Sequence, residues 1–320
     1  AENGVTGELQ SYVYWGGPGG LTGECTELST SGAYQVAIVD ITGNGLPYLI
    51  FTSAWVDHHN AGQPRPLHFF EQVTPRSFVD RAAEFSIMGV AARSVVAADL
   101  TGNGKMDLIV ANYRREYEYD IESFIYWGTD TGFDTTPLRL PSHYALQAAV
   151  GDLNGNGWSD VVFAGGSQLW IYWNREGQLD ANDCTVLDFA SGLTESEFQI
   201  GAIYAHIADV DGDGRNELLV TAADGIEIRR QEDLAKRGTI IPLPSCTWIH
   251  TADINGDGRL DMIVSRYQDG ESFNCDSAVF WNSEEGYSLD RVTWLATSGA
   301  MGCTAGDLDG DGNVEIVFNS

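Results

Sequence analysis

One nine-residue motif, rich in aspartate, asparagine and glycine, occurs six times along the chain and constrains its fold more than any other feature. Its consensus is D-x-[DNT]-G-[DN]-G-x-x-[DE], and the copies begin at Asp40, Asp99, Asp152, Asp209, Asp253 and Asp307. Successive copies start 44 to 59 residues apart. This spacing matches the length of a four-stranded propeller blade with its turns, and a repeat of this period is typical of propellers and solenoids.

Two kinds of β-rich segment surround the repeated motif. Short apolar runs flank the copies, for example at residues 95–98 and 108–111, and they favour two buried strands joined by the motif. Aromatic runs lie between the copies, such as FIYWG at residues 124–128, and most continue into a glycine-containing turn, which predicts a hairpin. Loops and hairpins alternate along the whole chain, so each repeat supplies about four strands.

The sequence therefore predicts an all-β fold in which residues 1–320 form a single β-propeller domain of six four-stranded blades. The chain begins with an aromatic hairpin and ends with a strand after the last loop, so we expect the first hairpin to complete the final blade. Closure by the termini would remove exposed sheet edges, which otherwise invite aggregation. A disulfide between Cys25 and Cys303 would reinforce this closure.

The composition of the motif predicts a cation site. Each copy has oxygen-bearing side chains at positions 1, 3 and 5, and five copies have a carboxylate at position 9. Ca²⁺ takes six to eight oxygen ligands, and glycines at positions 4 and 6 allow the backbone to curl around an ion. We expect about five to six Ca²⁺ ions, with the carbonyl of position 7 as a further ligand. The predicted side-chain ligands are Asp40, Thr42, Asn44, Asp99, Thr101, Asn103, Asp107, Asp152, Asn154, Asn156, Asp160, Asp209, Asp211, Asp213, Glu217, Asp253, Asn255, Asp257, Asp261, Asp307, Asp309, Asp311 and Glu315.

The six loops differ in charge. The copies that begin at Asp209 and Asp307 carry four carboxylates each, and we expect affinity to follow the number of carboxylates. In the first copy Tyr48 occupies position 9 after Pro47, so this loop is expected to bind weakly or to serve only as a turn. The alternative for any single copy is an Asx turn with solvated acids, because Asp, Asn and Gly are ordinary turn residues. Recurrence in six copies favours the cation site.

The charge balance excludes several classes of partner. The formal net charge is −29, a field that repels nucleic-acid phosphates and anionic membrane surfaces, so no nucleic-acid partner is expected. No apolar run reaches the roughly 20 residues of a transmembrane segment. The five cysteines include no CxxC pair, which disfavours a zinc cluster and is compatible with secretion.

The loops, together with the aromatic hairpins between them, resemble the FG-GAP/VCBS repeats of integrin α-subunit propellers, fungal propeller lectins and many bacterial surface proteins. The resemblance extends over nearly the entire chain. It implies calcium in the strand-connecting loops and ligand binding at one face of the propeller. Because propellers of this family commonly have seven blades, the alternatives are a seven-bladed ring and a ring completed by a partner chain.

Five residues are weak candidates for catalysis. His206 and His250 each lie three residues before the first aspartate of their loop, so they should occupy equivalent places on neighbouring innermost strands. Adjacent imidazoles could act as base and acid, could bind a transition metal as a pair, or could line the channel as hydrogen-bonded structural residues. Variable loops contribute Tyr113, Arg266 and Tyr267, whose residue types suit carbohydrate or protein recognition, although ordinary exposed loops explain them equally well.

The first functional hypothesis is a secreted or cell-surface calcium-binding propeller that acts as an adhesion module for a glycan or an extracellular protein. The second is a polysaccharide lyase in which the five candidate residues act on a uronate. The third is a structural subunit of an extracellular assembly, which the missing seventh unit favours. The chain has no G-x-S-x-G, H-E-x-x-H or P-loop fingerprint, so hydrolase, zinc protease and nucleotide-binding functions lack their usual support.

Overall fold

The structure is a computed structural model that describes residues 9–17, 20–30, 33–53, 63–115, 118–189, 204–270, 272–307, 312 and 314–319. The chain divides into two compact units, Ala1–Ala148 and Ala149–Ser320. Helix in the described residues is limited to α1 (Ala82–Phe85) and a 3-10 turn at Gln231–Asp233, which confirms the prediction of an all-β chain. Neither of these short segments approaches the length of a membrane-crossing helix.

The first unit contains two four-stranded blades and a long hairpin. The first blade has the strand order β3-β4-β6-β7 and the second has the order β9-β10-β11-β14, whereas β1-β2, β5-β8 and β12-β13 are two-stranded pairs. These strands are β1 (Leu9–Gly17), β2 (Gly20–Thr30), β3 (Val36–Val39), β4 (Tyr48–Phe51), β5 (Pro64–Pro66), β6 (His68–Thr74), β7 (Ser77–Asp80), β8 (Met88–Val90), β9 (Ala92–Ala98), β10 (Asp107–Asn112), β11 (Asp120–Tyr126), β12 (Gly128–Thr129), β13 (Gly132–Phe133) and β14 (Leu138–His143).

The second unit contains three four-stranded blades, called here the third, fourth and fifth, and a final pair, β27-β28. The blades have the orders β15-β16-β17-β18, β19-β20-β21-β22 and β23-β24-β25-β26. The strands, the first of which begins just before the unit boundary, are β15 (Gln147–Gly151), β16 (Asp160–Gly165), β17 (Gln168–Arg175), β18 (Gln178–Asp188), β19 (Ala205–Ala208), β20 (Glu217–Ala222), β21 (Gly225–Arg229), β22 (Thr239–Ile241), β23 (Cys246–Ala252), β24 (Asp261–Arg266), β25 (Asn274–Phe280), β26 (Val292–Ser298), β27 (Gly302–Gly306) and β28 (Glu315–Asn319).

The second strand of a blade is buried along its length where neighbouring blades cover both of its faces. In β20 every residue is buried. Leu218 and Val220 pack in the apolar cluster shared with the third blade, whereas Leu219 packs in the cluster shared with the fifth. Because successive side chains of a strand point to opposite faces, an almost continuous apolar run in the sequence serves two cores.

Each repeated loop connects the first strand of its sheet to the second. The residue at position 9 is therefore the first residue of β4, β10, β16, β20, β24 or β28. This placement puts the last predicted ligand at the entrance to a buried strand, while positions 1 to 7 remain at the end of the sheet.

The prediction of six blades closed by the termini is wrong, because the described residues form five four-stranded blades. β1 with β2 and β27 with β28 are two separate two-stranded sheets rather than the halves of a sixth blade. Each hairpin packs on its sequence neighbour: Leu28 lies in one apolar cluster with Leu49 of the first blade, and Cys303 lies in one with Ile263 of the fifth. Local packing thus anchors both hairpins. That residues 1–320 form one domain stays a prediction, as does completion by a partner chain.

The expected disulfide between Cys25 and Cys303 is also wrong. All five cysteines are free thiols, with Cys25 exposed and Cys303 buried. The Cys303 thiol donates to the carbonyl of Ile263 at 3.5 Å, and burial raises its pKa to about 11. Cys303 is therefore a core residue of the second unit.

Candidate metal-binding loops

The backbone of the repeated loops winds around the aspartate at position 1. In the fourth loop, residues 209–217, Gly212 and Gly214 have φ angles of +74° and +86°, a left-handed conformation that favours glycine. The N–H groups of residues 212–214 donate to the Asp209 carboxylate at 2.8, 3.2 and 2.9 Å. Corresponding N–H groups donate to the first aspartates of the other loops, Asp40, Asp99, Asp152, Asp253 and Asp307.

The side chains at positions 3 and 5 tighten the same turn. In the fourth loop the N–H of Arg215 donates to Asp213 at 2.9 Å, and the N–H of Asp213 donates to Asp211 at 3.2 Å. The first of these bonds, from the N–H of position 7 to the side chain of position 5, recurs in four other loops, at Asn44, Asn103, Asn156 and Asp257. The second, from the N–H of position 5 to the side chain of position 3, recurs at Asn154 and Asn255. The Thr101 hydroxyl lies 3.5 Å from the Asp99 carboxylate.

Position 9 has a structural role that sequence analysis missed. Asp107, Asp160 and Asp261 are fully buried, and each accepts the N–H of position 2 in its own loop, at 2.9 to 3.1 Å. The second oxygen of each accepts an N–H at the end of the blade's third strand or just beyond it, from Gly128, Asn174 and Asn282 at 2.7 to 2.9 Å. Position 9 thus ties the loop to the body of the blade. The only sequence signal for this role was the carboxylate at the start of an apolar strand.

Burial disfavours ionisation of the position-9 carboxylates. It raises the pKa of Asp160 to about 6 and also raises the pKa values of Asp107 and Asp261. The pKa of Glu217 is raised to about 7, first by burial and then by the negative charges of Asp211 and Asp213. A cation placed among these carboxylates would lower their pKa values again, because it stabilises the ionised form against both burial and the neighbouring negative charges.

The fourth loop has the donor set that fits Ca²⁺ best in the described part of the chain. One oxygen from each of Asp209, Asp211 and Glu217 lies within 4.8 Å of the others. Oxygens that share one Ca²⁺ at 2.3–2.6 Å can be at most about 5 Å apart, so this spacing suits a single ion. The charge is partly neutralised by Arg230, whose guanidinium lies 2.7 Å from Oδ2 of Asp211. No other His, Cys, Asp and Glu cluster of this closeness occurs in the described residues.

Among the other loops, the described residues include no group of three carboxylates as close together as in the fourth loop. In the third loop the amide nitrogen of Asn154 lies 3.2 Å from both Asp160 oxygens, so an amide rather than a carboxylate faces position 9. In the first loop Tyr48 is buried in the apolar cluster between the first and second blades, and Thr42 faces no position-9 carboxylate. Asp309 and Asp311 of the last loop lie outside the described residues, while Glu315 begins β28.

His206 and His250 lie at the equivalent positions on β19 and β23 that the repeat predicted. Their ring centroids are 6.2 Å apart, and Nε2 of His206 lies 2.9 Å from the Thr251 hydroxyl. Burial, and then the neighbouring His250, lowers the pKa of His206 to about 4; burial also lowers the pKa of His250. Both imidazoles are therefore neutral near pH 7, which suits hydrogen-bonded structural residues.

The remaining candidates, Arg266, Tyr267 and Tyr113, make packing contacts and hydrogen bonds within the protein. In the second unit Arg266 is buried and donates to the carbonyls of Pro244 and Asp276, both at 3.2 Å. The Tyr267 ring packs edge-on against Phe273, with centroids 5.1 Å apart. In the first unit Tyr113 is buried directly after β10. The lyase hypothesis stays a prediction that none of these contacts favours.

The repeat pattern matches a known family. The model of the FG-GAP-like repeat matches residues 152–220, 209–264 and 253–318, which together span more than half of the chain. Each matched span begins at the first aspartate of one loop and includes the next loop. The matching unit is therefore one repeated loop, the strands that follow it, and the next repeated loop.

Two individual proteins extend the comparison. A stretch covering 45% of this chain is 28% identical over 160 residues to integrin alpha-PS3 of Drosophila melanogaster, and the chain spans 14% of that protein's length. The crystal structure of BBS1N in complex with ARL6DN, soaked with lead, is similar with a TM-score of 0.58 and 12% identity, over 97% of this chain and 82% of that chain. At this identity the structural likeness shows the fold alone.

Proposed function

This chain belongs to the FG-GAP-like repeat family, and on that premise we propose that it is a calcium-stabilised β-propeller that serves as a ligand-binding module at the cell surface or outside the cell. The proposal has two parts. Calcium would hold the strand-connecting loops, and the ends of the blades away from those loops would contact a glycan or a protein.

One observation carries the calcium part: the close approach of three carboxylate oxygens from Asp209, Asp211 and Glu217. Like charges at such distances repel one another unless a cation or protons neutralise them. Asp209 and Asp211 would hold the ion from the wound turn, and Glu217 would hold it from the start of β20. Calcium would compensate the carboxylate charges and cross-link the loop to the strand.

The other loops are proposed as further sites, for a total of about five to six ions. The loop at Asp307 carries four carboxylates, as many as the fourth loop, and is proposed as a site of similar charge. The loops at Asp40, Asp99, Asp152 and Asp253 are proposed as weaker sites, because Thr or Asn at position 3 or 5 leaves fewer formal charges to face the ion. Affinity is expected to fall with the number of carboxylates.

The adhesion part is supported by the family and by the integrin relative. The match to integrin alpha-PS3 covers 45% of this chain, and integrin α-subunits carry propellers of the repeat type that this sequence resembles. A secreted or cell-surface location is part of the proposal and is supported by the same likeness. The high negative charge is compatible with it.

Calorimetric melting of the full chain in Ca²⁺, Mg²⁺ and EDTA tests the calcium part. A site at a free Ca²⁺ concentration one thousand times its Kd stabilises the folded state by about 4 kcal/mol, so the melting temperature should rise clearly in Ca²⁺. Asp211→Asn should lower this gain, whereas Asp290→Asn, at an exposed carboxylate outside the loops, should keep it. Equal melting of the unsubstituted chain in Ca²⁺ and EDTA would refute calcium stabilisation.

A further inference from the structure

The first unit carries a cluster of arginine and tyrosine side chains far from the candidate calcium loop of the same blade. Arg93 is near the start of β9 and Tyr113 follows the end of β10, whereas the loop at 99–107 joins the opposite ends of these strands. A strand of this length separates its two ends by about 20 Å. The members of this arginine–tyrosine cluster are Tyr34, Arg93, Tyr113, Arg114, Tyr119 and Tyr144.

Stacking holds the cluster together. The Arg93 guanidinium lies between two rings, 4.3 Å from the centroid of Tyr34 and 4.6 Å from that of Tyr113. Arg114 lies 5.5 Å from the Tyr113 centroid. Cation–π contacts of this kind fix the plane of a guanidinium while leaving its N–H edge available.

Tyrosine hydroxyl groups line the same place. The Tyr113 hydroxyl donates to the Tyr144 hydroxyl at 3.0 Å, and the rings of these two residues are 4.7 Å apart. Tyr119 packs on both rings, at 5.9 and 4.9 Å. Tyr144 has a φ of +53°, a conformation uncommon for a residue with a side chain, and such local strain concentrates at functional sites.

Arg93 and Arg114 differ from most of the lysines and arginines in forming no ion pair with the described residues. Most of the 17 lysine and arginine residues form ion pairs with described carboxylates. Arg93 and Arg114 form none with the described residues, and the Nε atoms of both are buried without a hydrogen-bond partner there. Two cations without a described carboxylate partner, in a chain with 46 acidic residues, leave donors for an anion supplied from outside.

The geometry and charge define the class of ligand. A guanidinium presents parallel N–H donors that match the two oxygens of a carboxylate, and tyrosine rings and hydroxyls suit a sugar ring with its hydroxyl groups. The net charge of −29 repels a polyanion, so the carboxylate must belong to an otherwise neutral molecule. We propose that the arginine–tyrosine cluster binds a carboxylated sugar, of the uronic-acid type, within a mainly neutral glycan. This inference rests on the proposed binding function and names its ligand class.

Titration calorimetry of the full chain in Ca²⁺ tests the assignment with methyl glucuronide and methyl glucoside, which differ in the carboxylate. The glucuronide should bind at least about tenfold more tightly, which corresponds to about 1.4 kcal/mol. Arg93→Met should abolish most of this preference. Arg139→Met is the matched control, because Arg139 also stacks on a ring of the first unit, Phe124, but is ion-paired with Glu122; it should keep affinity within about twofold.

Tyr34→Ala provides a second variant in case Arg93→Met does not fold, because Tyr34 is 43% exposed and its loss removes one side of the Arg93 sandwich without opening the core. It should also weaken glucuronide binding. Equal binding of glucoside and glucuronide, or unchanged binding in both variants, overturns the proposal.

Two further probes separate other anions from sugars. Tighter binding of a capped glutamate tripeptide would assign the cluster to acidic peptides, and competition by inorganic phosphate at equal concentration would show a general anion site; either result overturns the sugar assignment. Melting of the same samples in Ca²⁺ and EDTA tests calcium stabilisation separately from glucuronide binding. Calcium stabilisation without glucuronide binding refutes this inference alone, and the converse refutes only the calcium part.

Discussion

The first loop, residues 40–48, and the fourth loop, residues 209–217, share a backbone but differ in what they assemble. In both, the position-1 aspartate accepts three successive N–H groups at 2.7 to 3.2 Å. In the fourth loop Glu217 brings a third carboxylate to Asp209 and Asp211. In the first loop Tyr48 occupies the same position and its ring packs in the core.

This difference shows that the wound turn and the cation site are separable. Glycines in the left-handed conformation and one aspartate are enough for the turn, because all their partners lie within six residues. The carboxylate cluster needs, in addition, an acid at the start of the second strand and a carboxylate at position 3. The recurrence of the motif therefore predicts the wound turn more directly than it predicts a bound cation.

Replacing Tyr48 by Asp should have the largest effect. The substitution restores the motif, but it removes a buried ring that packs edge-on against Phe85 and whose hydroxyl bonds Glu71. Loss of such a ring costs about 3–5 kcal/mol, and the new carboxylate would face Glu71. Urea unfolding in EDTA measures this loss, with Tyr48→Phe as the control that keeps the ring. A stable Tyr48→Asp variant with an added calcium site would contradict the conclusion that the ring of Tyr48 gives the first loop a purely structural role.

Glu217→Gln should remove most of the calcium response of the fourth loop. The amide keeps an oxygen for the N–H of Val210, which Glu217 accepts at 3.0 Å, but it lacks the charge that faces the ion. At a free Ca²⁺ concentration one hundred times the Kd, the lost stabilisation is about 2.7 kcal/mol. The difference in unfolding free energy between Ca²⁺ and EDTA measures it. An unchanged calcium response would exclude Glu217 as a ligand.

In EDTA Asp209→Ala should cost no more stability than Asp40→Ala, because it also relieves the repulsion with Asp211 and Glu217, whereas in Ca²⁺ it should cost more. Each substitution removes the acceptor of three N–H groups, and unsatisfied groups of this kind cost about 1–3 kcal/mol in total when partly exposed to water. Only Asp209→Ala should cost more when calcium is added. Urea unfolding of both variants in the two buffers provides the comparison, and a calcium-dependent excess for Asp40→Ala would show that the first loop also binds.

Arg230→Met should have the smallest effect, a gain in calcium affinity at the fourth loop. The Arg230 guanidinium competes for Asp211. Because the guanidinium is exposed, the pair is expected to contribute at most about 1 kcal/mol, so a gain of at most about fivefold is expected. Calcium titration measures it. Arg237→Met, which breaks the exposed pair with Asp224 outside the loop, should leave the affinity unchanged; equal gains in both variants would indicate a general charge effect.

Much of the fold and part of the site could be predicted because their determinants are local. The wound turns follow from glycine and aspartate within a few residues, and the positions of His206 and His250 follow from the phase of the repeat. The number of blades could not be predicted in this way. A hairpin such as β1-β2 is specified by its own residues, but the packing of Leu28 with Leu49 decides what it joins.

The roles of buried polar groups were the least predictable part of the site. The motif marks Asp160 as a ligand, yet its bonds to the N–H groups of Leu153 and Asn174 depend on the third strand of the blade. The arginine–tyrosine cluster joins Tyr34, Arg93 and Tyr144, which are far apart in sequence. No periodic pattern links such residues, so only packing reveals them.

By itself the sequence determined an all-β chain of repeated blades and the place of every wound loop, because glycine conformation, strand alternation and hairpin turns act over a few residues. The tertiary structure alone decided which of the described loops gathers three carboxylates and that the end hairpins stay separate. It also decided that two arginines stand among tyrosines without an acidic partner in the described part of the chain. These outcomes depend on burial and on contacts between distant segments, and burial is what sets the energy of a charge or an unpaired donor.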